Sequence, residues 1–338
     1  MTYRLRIEPS GHEMDCDADE TILEAALRHG FNIPFSCRNG ACGACKGRIL
    51  EGRVDYGDVE EKALSAGEKE AGMALFCQAM PLSDVIIEVR EIGAAKDIQI
   101  KTLPARVARM VDLAPDVRAL FLKISASERL QFLPGQYIDI LLKDGGRRGF
   151  SLANSPANDE FLELHIKRVA GGQFTTHVFA QMKEKDILRF EGPLGTFFVR
   201  QDSRRPLLMV ATGTGFAPIK GMLEALFAQG DDRPIHFYWG VRHAEDFYYQ
   251  ELLMEWQRLH PHFRLTQVVS RPDAAWSGRS GYVIPQVLAD IPDPGAFDVY
   301  ICGHPDMVMD LSRALQGAGL NAEHIFADAF VFAKAKST

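Results

Sequence analysis

The pattern of apolar and polar residues divides the chain into three segments, the first of which ends near residue 92. Apolar and polar residues alternate over 3–8, which predicts a strand, and a turn at 9–11 leads into a second strand. Thr21–Glu24 is a capping box that opens a short helix through Arg28. Two further strands are predicted, at 46–50 and 85–90.

The second segment, 102–202, consists of short apolar stretches separated by turns, which predicts an antiparallel β-barrel or a sandwich. One short helix is predicted at 174–182. The predicted strands are 105–111, 117–124, 136–142, 161–168 and 187–191.

The third segment begins at 203, where the period changes. Leu207–Ala211 is a continuous apolar run of the kind found in buried strands, and an amphipathic helix follows to about residue 228. Strands and helices then alternate, which predicts a parallel sheet whose ligand crevice lies at the carboxyl ends of its strands. The strands are expected at 235–239, 265–269 and 298–302, and the helices at 246–259, 282–289 and 305–317.

The length of 338 residues also indicates two or three domains. We place them at 1–92, 102–202 and 203–338, with a linker at 93–101 that carries no strong period. No stretch approaches the ~20 apolar residues of a membrane helix, and the first residues lack the apolar core of a signal peptide. A cytoplasmic protein without a membrane partner is therefore expected.

Four of the six cysteines form the most specific motif. Cys37, Cys42 and Cys45 have the spacing C-x4-C-x2-C, and Cys77 follows at a distance. This is the ligand spacing of a plant-type [2Fe-2S] cluster. A zinc site is the main alternative, but zinc sites usually pair their cysteines as two C-x2-C units, and Cys77 stands alone. Buried, inert thiols are the third interpretation.

Net charge is uneven along the chain. Residues 1–92 hold 10 Lys and Arg against 17 Asp and Glu, whereas residues 93–202 hold 16 against 13. The acidic first segment suits a basic redox partner or the basic middle segment, although a simply solvated acidic surface is an equal alternative. Nucleic acid is an unfavourable partner, because no basic run or aromatic-interleaved patch occurs.

Glycine-rich turns indicate nucleotide binding in the third segment. Gly213-Thr214-Gly215 follows a predicted buried strand and lets a phosphate approach the backbone, although it is not the GxGxxG fingerprint. Cys302-Gly303 follows another such strand. Both turns should open on the same crevice.

In the middle segment, Gly172 and Thr175 open a predicted helix whose free amides could bind a diphosphate, and Arg148 could donate to it in a bidentate manner. A plain helix cap and a surface pair between Arg148 and Ser151 are the alternatives.

Together these motifs resemble the ferredoxin-NADP reductase superfamily, in the subgroup with an N-terminal plant-type ferredoxin domain. Arg148–Ser151 is similar to the RxYS flavin motif, with Phe150 in place of tyrosine. The implied fold is an α+β multidomain protein with a β-grasp ferredoxin domain, a β-barrel flavin domain and an α/β parallel-sheet nucleotide domain. Stretches such as 135–139 and 192–200 suggest a closer similarity to the reductase components of 3,6-dideoxysugar synthesis. Ring-hydroxylating dioxygenases and multicomponent monooxygenases use reductases of the same architecture.

The resemblance implies an oxidoreductase that passes electrons from NADH through FAD to a [2Fe-2S] cluster. NADPH remains possible as the donor. Ser151 and Cys302 take the catalytic positions at the flavin and nicotinamide, and the cluster ligands are Cys37, Cys42, Cys45 and Cys77. The implied cofactor-binding residues are Arg148, Phe150, Ser151, His165, Lys167, Gly172, Thr175, Gly213, Thr214, Gly215, Arg271, Cys302 and Phe330.

The implied partner is an electron-accepting metalloprotein. A CDP-hexulose 3-dehydrase of deoxysugar synthesis is favoured, with an oxygenase component as the alternative. A zinc-binding, non-catalytic module is the distant alternative.

Overall fold

The computed structural model describes residues 1–93 and 98–331. The chain separates into two compact units, which we call unit 1 (Met1–Ile98 together with Val331) and unit 2 (Gln99–Phe330). The predicted linker 93–101 lies partly outside the described residues, and the first strand of unit 2 starts at Lys101. Within the described residues, no helix is long and apolar enough to span a bilayer.

Unit 1 is a mixed sheet that supports the cysteine loop. The strand order is β2-β1-β7-β3-β5, with β1 parallel to β7 and the other pairs antiparallel, which is a β-grasp arrangement. The predicted capping box is confirmed: Thr21 Oγ1 accepts from Glu24 N at 3.2 Å, and Glu24 Oε2 accepts from Thr21 N at 2.9 Å. The elements are β1 Thr2–Glu8, β2 His12–Asp17, α1 Ile22–Arg28, β3 Lys46–Glu51, β4 Val54–Asp55, α2 Ala66–Glu70, β5 Met73–Leu75, β6 Met80–Pro81 and β7 Val85–Glu88.

The first half of unit 2 is an antiparallel sheet of six strands in the order β11-β10-β13-β8-β9-β12. A bridge between Leu152 and Leu164, with Ala153 N donating to Glu163 O at 2.8 Å, joins the two outer strands and closes a barrel. Its elements are β8 Lys101–Ala114, β9 Val117–Lys123, β10 Tyr137–Leu141, β11 Arg147–Ser151, β12 Leu162–Lys167, α3 Gln173–Ala180 and β13 Ile187–Leu194.

The second half of unit 2 is the predicted parallel sheet, in the order β17-β16-β15-β14-β18-β19. Chain order runs outward from β14 in both directions, so the crevice expected at such a switch point lies between β14 and β18. Its elements are β14 Leu207–Thr212, α4 Phe216–Ala228, β15 Ile235–Val241, α5 Gln250–Leu259, β16 Phe263–Val269, β17 Arg279–Ser280, α6 Val283–Asp290, β18 Asp298–Gly303, α7 Pro305–Gly317 and β19 Ile325–Ala329.

Two functionally relevant strands, β11 and β19, were not expected from the sequence. β11 contains Arg147, Arg148 and Gly149 and lacks the apolar pattern of a strand, whereas β19 is apolar except for Asp328 but only five residues long. Both form because a neighbouring strand pairs with them: β10 with β11 and β18 with β19. Tertiary pairing overrides a weak local preference here.

Candidate functional site

The four motif cysteines of unit 1 lie close together in two pairs. The Cys37 thiol is hydrogen-bonded to that of Cys42, and the Cys45 thiol to that of Cys77. Among residues 1–93 and 98–331, no three metal-ligating side chains converge on a point where one ion could sit. A binuclear cluster needs two thiolates on each iron, and the two pairs of thiols provide them.

The backbone of the cysteine loop turns toward the sulfur atoms. The Cys42 thiol, followed by the amides of Asn39, Ala41 and Cys42, lowers the pKa of Cys37 to about 6. Gly40 has φ +77°, and a Cβ there would lie 2.4 Å from Asp58 O. Glycine is thus required both for the backbone angle and for close packing.

On strand β11 the two adjacent arginines have different partners. Arg147 forms a bidentate pair with Glu191, at 2.7 and 3.2 Å. The guanidinium of Arg148 donates only to Arg147 O, at 2.8 Å, and meets no carboxylate within the described part of the chain. Arg148 is therefore the arginine with charge left for an anion, in agreement with the residues expected to bind FAD.

The end of β11 meets the start of helix α3. The ring of Phe150 lies 5.5 Å from that of Phe174, in the first turn of α3. Gly172 is the N-cap of α3 and has no side chain that could accept a hydrogen bond from the first amides of the helix. These amides therefore have no acceptor from the N-cap residue. Thr175 Oγ1 donates to Gly172 O at 3.2 Å and holds this turn. An arginine two residues before Phe150 and the N-terminus of the helix that Phe150 contacts fit the diphosphate of FAD.

Ser151 and Cys302 converge on one buried carboxylate, Asp328. Ser151 Oγ donates to Asp328 Oδ2 at 3.4 Å, and Cys302 Sγ lies 3.9 Å from the same oxygen. Burial, together with the Asp328 charge, raises the pKa of the Cys302 thiol, which therefore stays protonated. The site thus presents a hydroxyl and a neutral thiol, both oriented by Asp328.

The two predicted glycine turns lie side by side, which confirms their expected proximity. A Cβ on Gly215 would lie 2.5 Å from Cys302 O, and a Cβ on Gly303 would lie 2.3 Å from Thr212 Oγ1. Thr212 Oγ1 also accepts from His304 N at 3.1 Å. The close approach explains glycine at both positions and places Cys302 next to the Gly213–Gly215 turn.

Matches to known domains cover the three segments. Residues 5–82 match a 2Fe-2S iron-sulfur cluster binding domain, residues 104–199 an oxidoreductase FAD-binding domain and residues 209–313 an oxidoreductase NAD-binding domain. The CDP-6-deoxy-L-threo-D-glycero-4-hexulose-3-dehydrase reductase of Yersinia pestis is 37% identical over 99% of this chain and 100% of its own length. The chain belongs to the ferredoxin-NADP reductase superfamily, in the subgroup with an N-terminal ferredoxin domain. It is an NAD- and FAD-binding iron–sulfur oxidoreductase.

Other relatives of this reductase serve oxygenases. The phenol 2-monooxygenase reductase component DmpP of Pseudomonas sp. is 34% identical over 98% of this chain and 95% of its own. Among solved structures, the Amycolatopsis cytochrome P450 reductase GcoB superposes with a TM-score of 0.79 at 33% identity, covering 97% of this chain and 99% of its own. The architecture is therefore shared with oxygenase reductases over the full length.

His165 and Lys167 were expected to bind a cofactor. In the structure, the His165 side chain is buried in an internal contact, whereas the Lys167 side chain lies beside the nucleotide turn. The imidazole of His165 is buried and lies 2.9 Å from Glu163 Oε1 and 3.0 Å from Tyr248 OH. Both ring nitrogens are occupied by this internal contact, and cofactor binding by His165 stays a prediction. Lys167 Nζ lies 3.2 Å from Asp116 and 3.8 Å from where a Cβ of Gly213 would be, beside the nucleotide turn.

Arg271 and Arg242 follow the neighbouring strands β16 and β15, and Arg271 N donates to Arg242 O at 2.8 Å. Arg242 pairs with Asp116 at 3.0 Å. Arg271 is exposed and forms no ion pair within the described residues, so its charge is accessible at the edge of the crevice. Phe330 N donates to Gly303 O at 2.8 Å, which brings this aromatic residue to the same turn.

Reasoning from the sequence missed Asp328 as a site residue, and it missed Glu163, Lys220 and Tyr249. Glu163 contacts His165, and both Lys220 and Tyr249 donate to Glu163. A signal existed for Lys220 alone: a lysine inside the otherwise apolar start of an amphipathic helix is an exception that needs a partner. The partners themselves could not be deduced, because they lie far away in the chain.

Proposed function

We propose that this reductase carries electrons from NADH through FAD and the [2Fe-2S] cluster to a partner metalloprotein. The convergence of Ser151 and Cys302 on Asp328, next to the Gly213–Gly215 turn, is the observation that carries the reductase half of the proposal. NADH is oxidised to NAD⁺ by losing a hydride, which holds two electrons. FAD, when bound, supplies the change from this two-electron step to the single electrons that an iron–sulfur cluster accepts.

Residues of the barrel hold FAD in this proposal. Arg148 binds the diphosphate together with the amides that begin at Gly172 and Thr175. Phe150 would contribute its aromatic ring to the flavin site, but it lacks the hydroxyl of the tyrosine that is usual in the motif. Phe330 would stack near the isoalloxazine ring. Charge complementarity at Arg148 and the uncapped helix start support this assignment.

Residues at the carboxyl ends of β14 and β18 place the nicotinamide. Gly213, Thr214, Gly215 and Cys302 would hold the nicotinamide, and Ser151 would lie near the reacting part of the flavin. Hydride transfer requires no general base, so these residues act through positioning and exclusion of water. Asp328 contributes by orienting Ser151 and keeping Cys302 neutral.

The favoured partner is a CDP-hexulose 3-dehydrase. Support comes from the Yersinia pestis relative, whose name refers to that dehydrase and which matches along its entire length. An oxygenase component is the second candidate, because the phenol 2-monooxygenase and cytochrome P450 reductases are almost as similar. The exposed acidic residues Asp55, Glu60 and Glu61 follow the cysteine loop, and Glu60 N donates to Gly40 O at 3.1 Å. A basic surface on the partner would suit them.

Anaerobic purification with an absorption spectrum tests the cofactor content. We expect flavin absorption together with broader cluster absorption, and bleaching of both on addition of NADH. A colourless protein that contains zinc would contradict the proposal and favour a non-catalytic module.

Steady-state NADH oxidation with purified acceptors then tests the partner. The dehydrase should be reduced at least about tenfold faster than an oxygenase component, because docking charges and shape discriminate between partners. The reverse preference would move this protein to the oxygenase group.

A further inference from the structure

A buried lysine joins the barrel to the parallel sheet within unit 2. Lys220 lies on α4 and is only 4% exposed. Its Nζ donates to Glu163 Oε2 at 2.9 Å, to Glu224 Oε1 at 2.7 Å and to Ala153 O at 3.1 Å. All three ammonium hydrogens therefore have an acceptor, and two of the acceptors belong to the barrel.

Further hydrogen bonds extend this junction on the side of the sheet. Tyr249 OH donates to Glu163 Oε1 at 2.8 Å, and His165 Nε2 lies 2.9 Å from the same oxygen. A carboxylate can only accept, so His165 Nε2 donates and its Nδ1 accepts from Tyr248 OH. Burial opposes ionisation of Glu163, but its bond to His165 and the nearby Lys220 charge outweigh burial and lower its pKa to about 2.

The backbones also approach closely at this junction. A Cβ on Gly221 would lie 2.9 Å from Asn154 O and 3.1 Å from Leu152 O. Ser155 N donates to Glu224 Oε2 at 2.9 Å. One face of α4 thus packs on residues 152–155 through Lys220, Gly221 and Glu224, which are neighbours on the helix surface.

The position of this junction in the chain gives it a functional meaning. Helix α4 starts directly after Gly215, in the turn that we assign to the coenzyme, and Lys220 lies five residues further on. Residues 152–155 follow Ser151, at the end of the flavin motif. The junction therefore connects the nucleotide turn to the flavin strand through very short stretches of chain. These short connections restrict relative movement of the two half-sites, by which we mean the coenzyme-binding residues and the FAD-binding residues.

The backbone conformation of Tyr249 also indicates that contacts at this junction fix the local geometry. Tyr249 has φ 54° and ψ 35°, a left-handed conformation that is unfavourable for a bulky residue, and its hydroxyl bonds to Glu163. Such conformations persist where surrounding contacts determine them. Buried ion pairs contribute little net stability compared with apolar packing, but they can specify one arrangement.

We infer that Lys220 is a positioning residue that holds the nucleotide turn in register with the flavin strand during hydride transfer. The inference rests on the proposed function, since it assumes that FAD and NADH occupy the two half-sites. Lys220 itself touches neither the coenzyme nor the flavin in this assignment; it acts through Ala153 and Glu163.

The test replaces Lys220 by methionine, which has similar length but no charge or donor. The rate of flavin reduction by NADH, measured by anaerobic stopped flow, should fall about 10- to 100-fold, since small displacements of reacting groups are costly. The long-wavelength charge-transfer absorption between nicotinamide and flavin should weaken. Amide hydrogen exchange at 152–155 and 213–221 should accelerate in the FAD-free protein as well. FAD content and the rate of cluster reduction by dithionite should stay unchanged.

The chain offers a closely matched control. Arg233 and Asp231 form another ion pair in the same unit, and the exposed side-chain fractions of both pairs are 5% and 8%. The Arg233 pair is local, two residues apart, and lies before β15 at the amino end of the sheet. Arg233→Met should lower stability without changing the charge-transfer absorption or the hydride-transfer rate.

A double variant separates positioning from stability. Lys220→Met with Glu163→Gln leaves one fewer unpaired buried carboxylate, so it should be more stable than Lys220→Met alone. It still lacks the bond to Ala153 O and should transfer hydride slowly. Wild-type hydride transfer and charge-transfer absorption in this double variant would overturn the inference. If instead the wild-type protein neither binds FAD nor oxidises NADH, the proposed function itself fails.

Discussion

The two units assemble their candidate sites in opposite ways. In unit 1, three of the four cysteines lie within nine residues, and the loop that carries them is shaped by its own glycines and amides. In unit 2, Ser151, Cys302 and Asp328 come from three strands, and Ser151 and Asp328 are 177 residues apart. A local motif can be recognised from spacing alone, whereas a site built by distant strands depends on how the sheets close.

This difference predicts that the two sites respond differently to damage. Replacing one cysteine ligand should abolish cluster binding and leave the reductase site intact, because the cluster ligands lie in unit 1. The reductase site should respond to charges that hold the barrel and the parallel sheet together. Three experiments address this comparison, in order of decreasing expected effect.

Cys42→Ser should have the largest effect. Loss of one ligand should remove the cluster absorption and lower electron transfer to one-electron protein acceptors by about 100-fold or more, while NADH-to-ferricyanide turnover stays within about twofold. Parallel assays of both reactions measure the separation. Cys16→Ser is the control, because Cys16 is a buried thiol of the same unit outside the two pairs. Equal loss of both reactions in Cys42→Ser would show that the sites are not separable.

Acidification should lower the stability of unit 2 more than that of unit 1. The buried carboxylates in the described chain, Asp139, Glu163, Asp298 and Asp328, all belong to it. The folded pKa of Glu163 is about 2 against an ordinary value of 4.5. Its stabilisation is present above pH 4.5 and is lost as the pH falls toward 2, to a total of at most about 3 kcal/mol. His165 acts in the same direction, because burial lowers its pKa and the unfolded chain binds the proton first.

Tryptophan fluorescence during urea unfolding measures this effect, since Trp239, Trp256 and Trp276 are the three tryptophans and all lie in unit 2. The unfolding midpoint should fall between pH 5 and pH 3. In Glu163→Gln the fall should be smaller. The same dependence on pH in both proteins would remove Glu163 from the explanation.

Arg271→Ala should have the smallest effect. If NADH is the natural donor, kcat/KM with NADH should change less than about twofold, because NADH has no 2′-phosphate to meet this exposed guanidinium. A selective loss of about tenfold with NADPH would identify Arg271 as the contact for that phosphate. Arg242→Ala is the matched control, since Arg242 lies on the adjacent loop but is already paired with Asp116.

The fold was accessible from the sequence where patterns are periodic or caps are strong. The helix beginning at Ile22, the parallel strands near 207, 235 and 298 and the helix at 305–317 were all predicted, because apolar periodicity and capping act over a few residues. Strands β11 and β19 escaped prediction, because β11 is polar and β19 is short, and both depend on pairing with a neighbouring strand.

The sequence by itself predicted the cluster ligands, and it determined the order of the domains and the two glycine turns. These features depend on spacing, period and backbone freedom, all of which are local. Only the tertiary structure decided that Arg148 rather than Arg147 keeps a free charge, that His165 faces inward and that Lys220 meets Glu163, 57 residues away. These partners depend on how the barrel closes and on how α4 packs against it. The energy of a buried charge depends on what surrounds it in space and not on its neighbours along the chain.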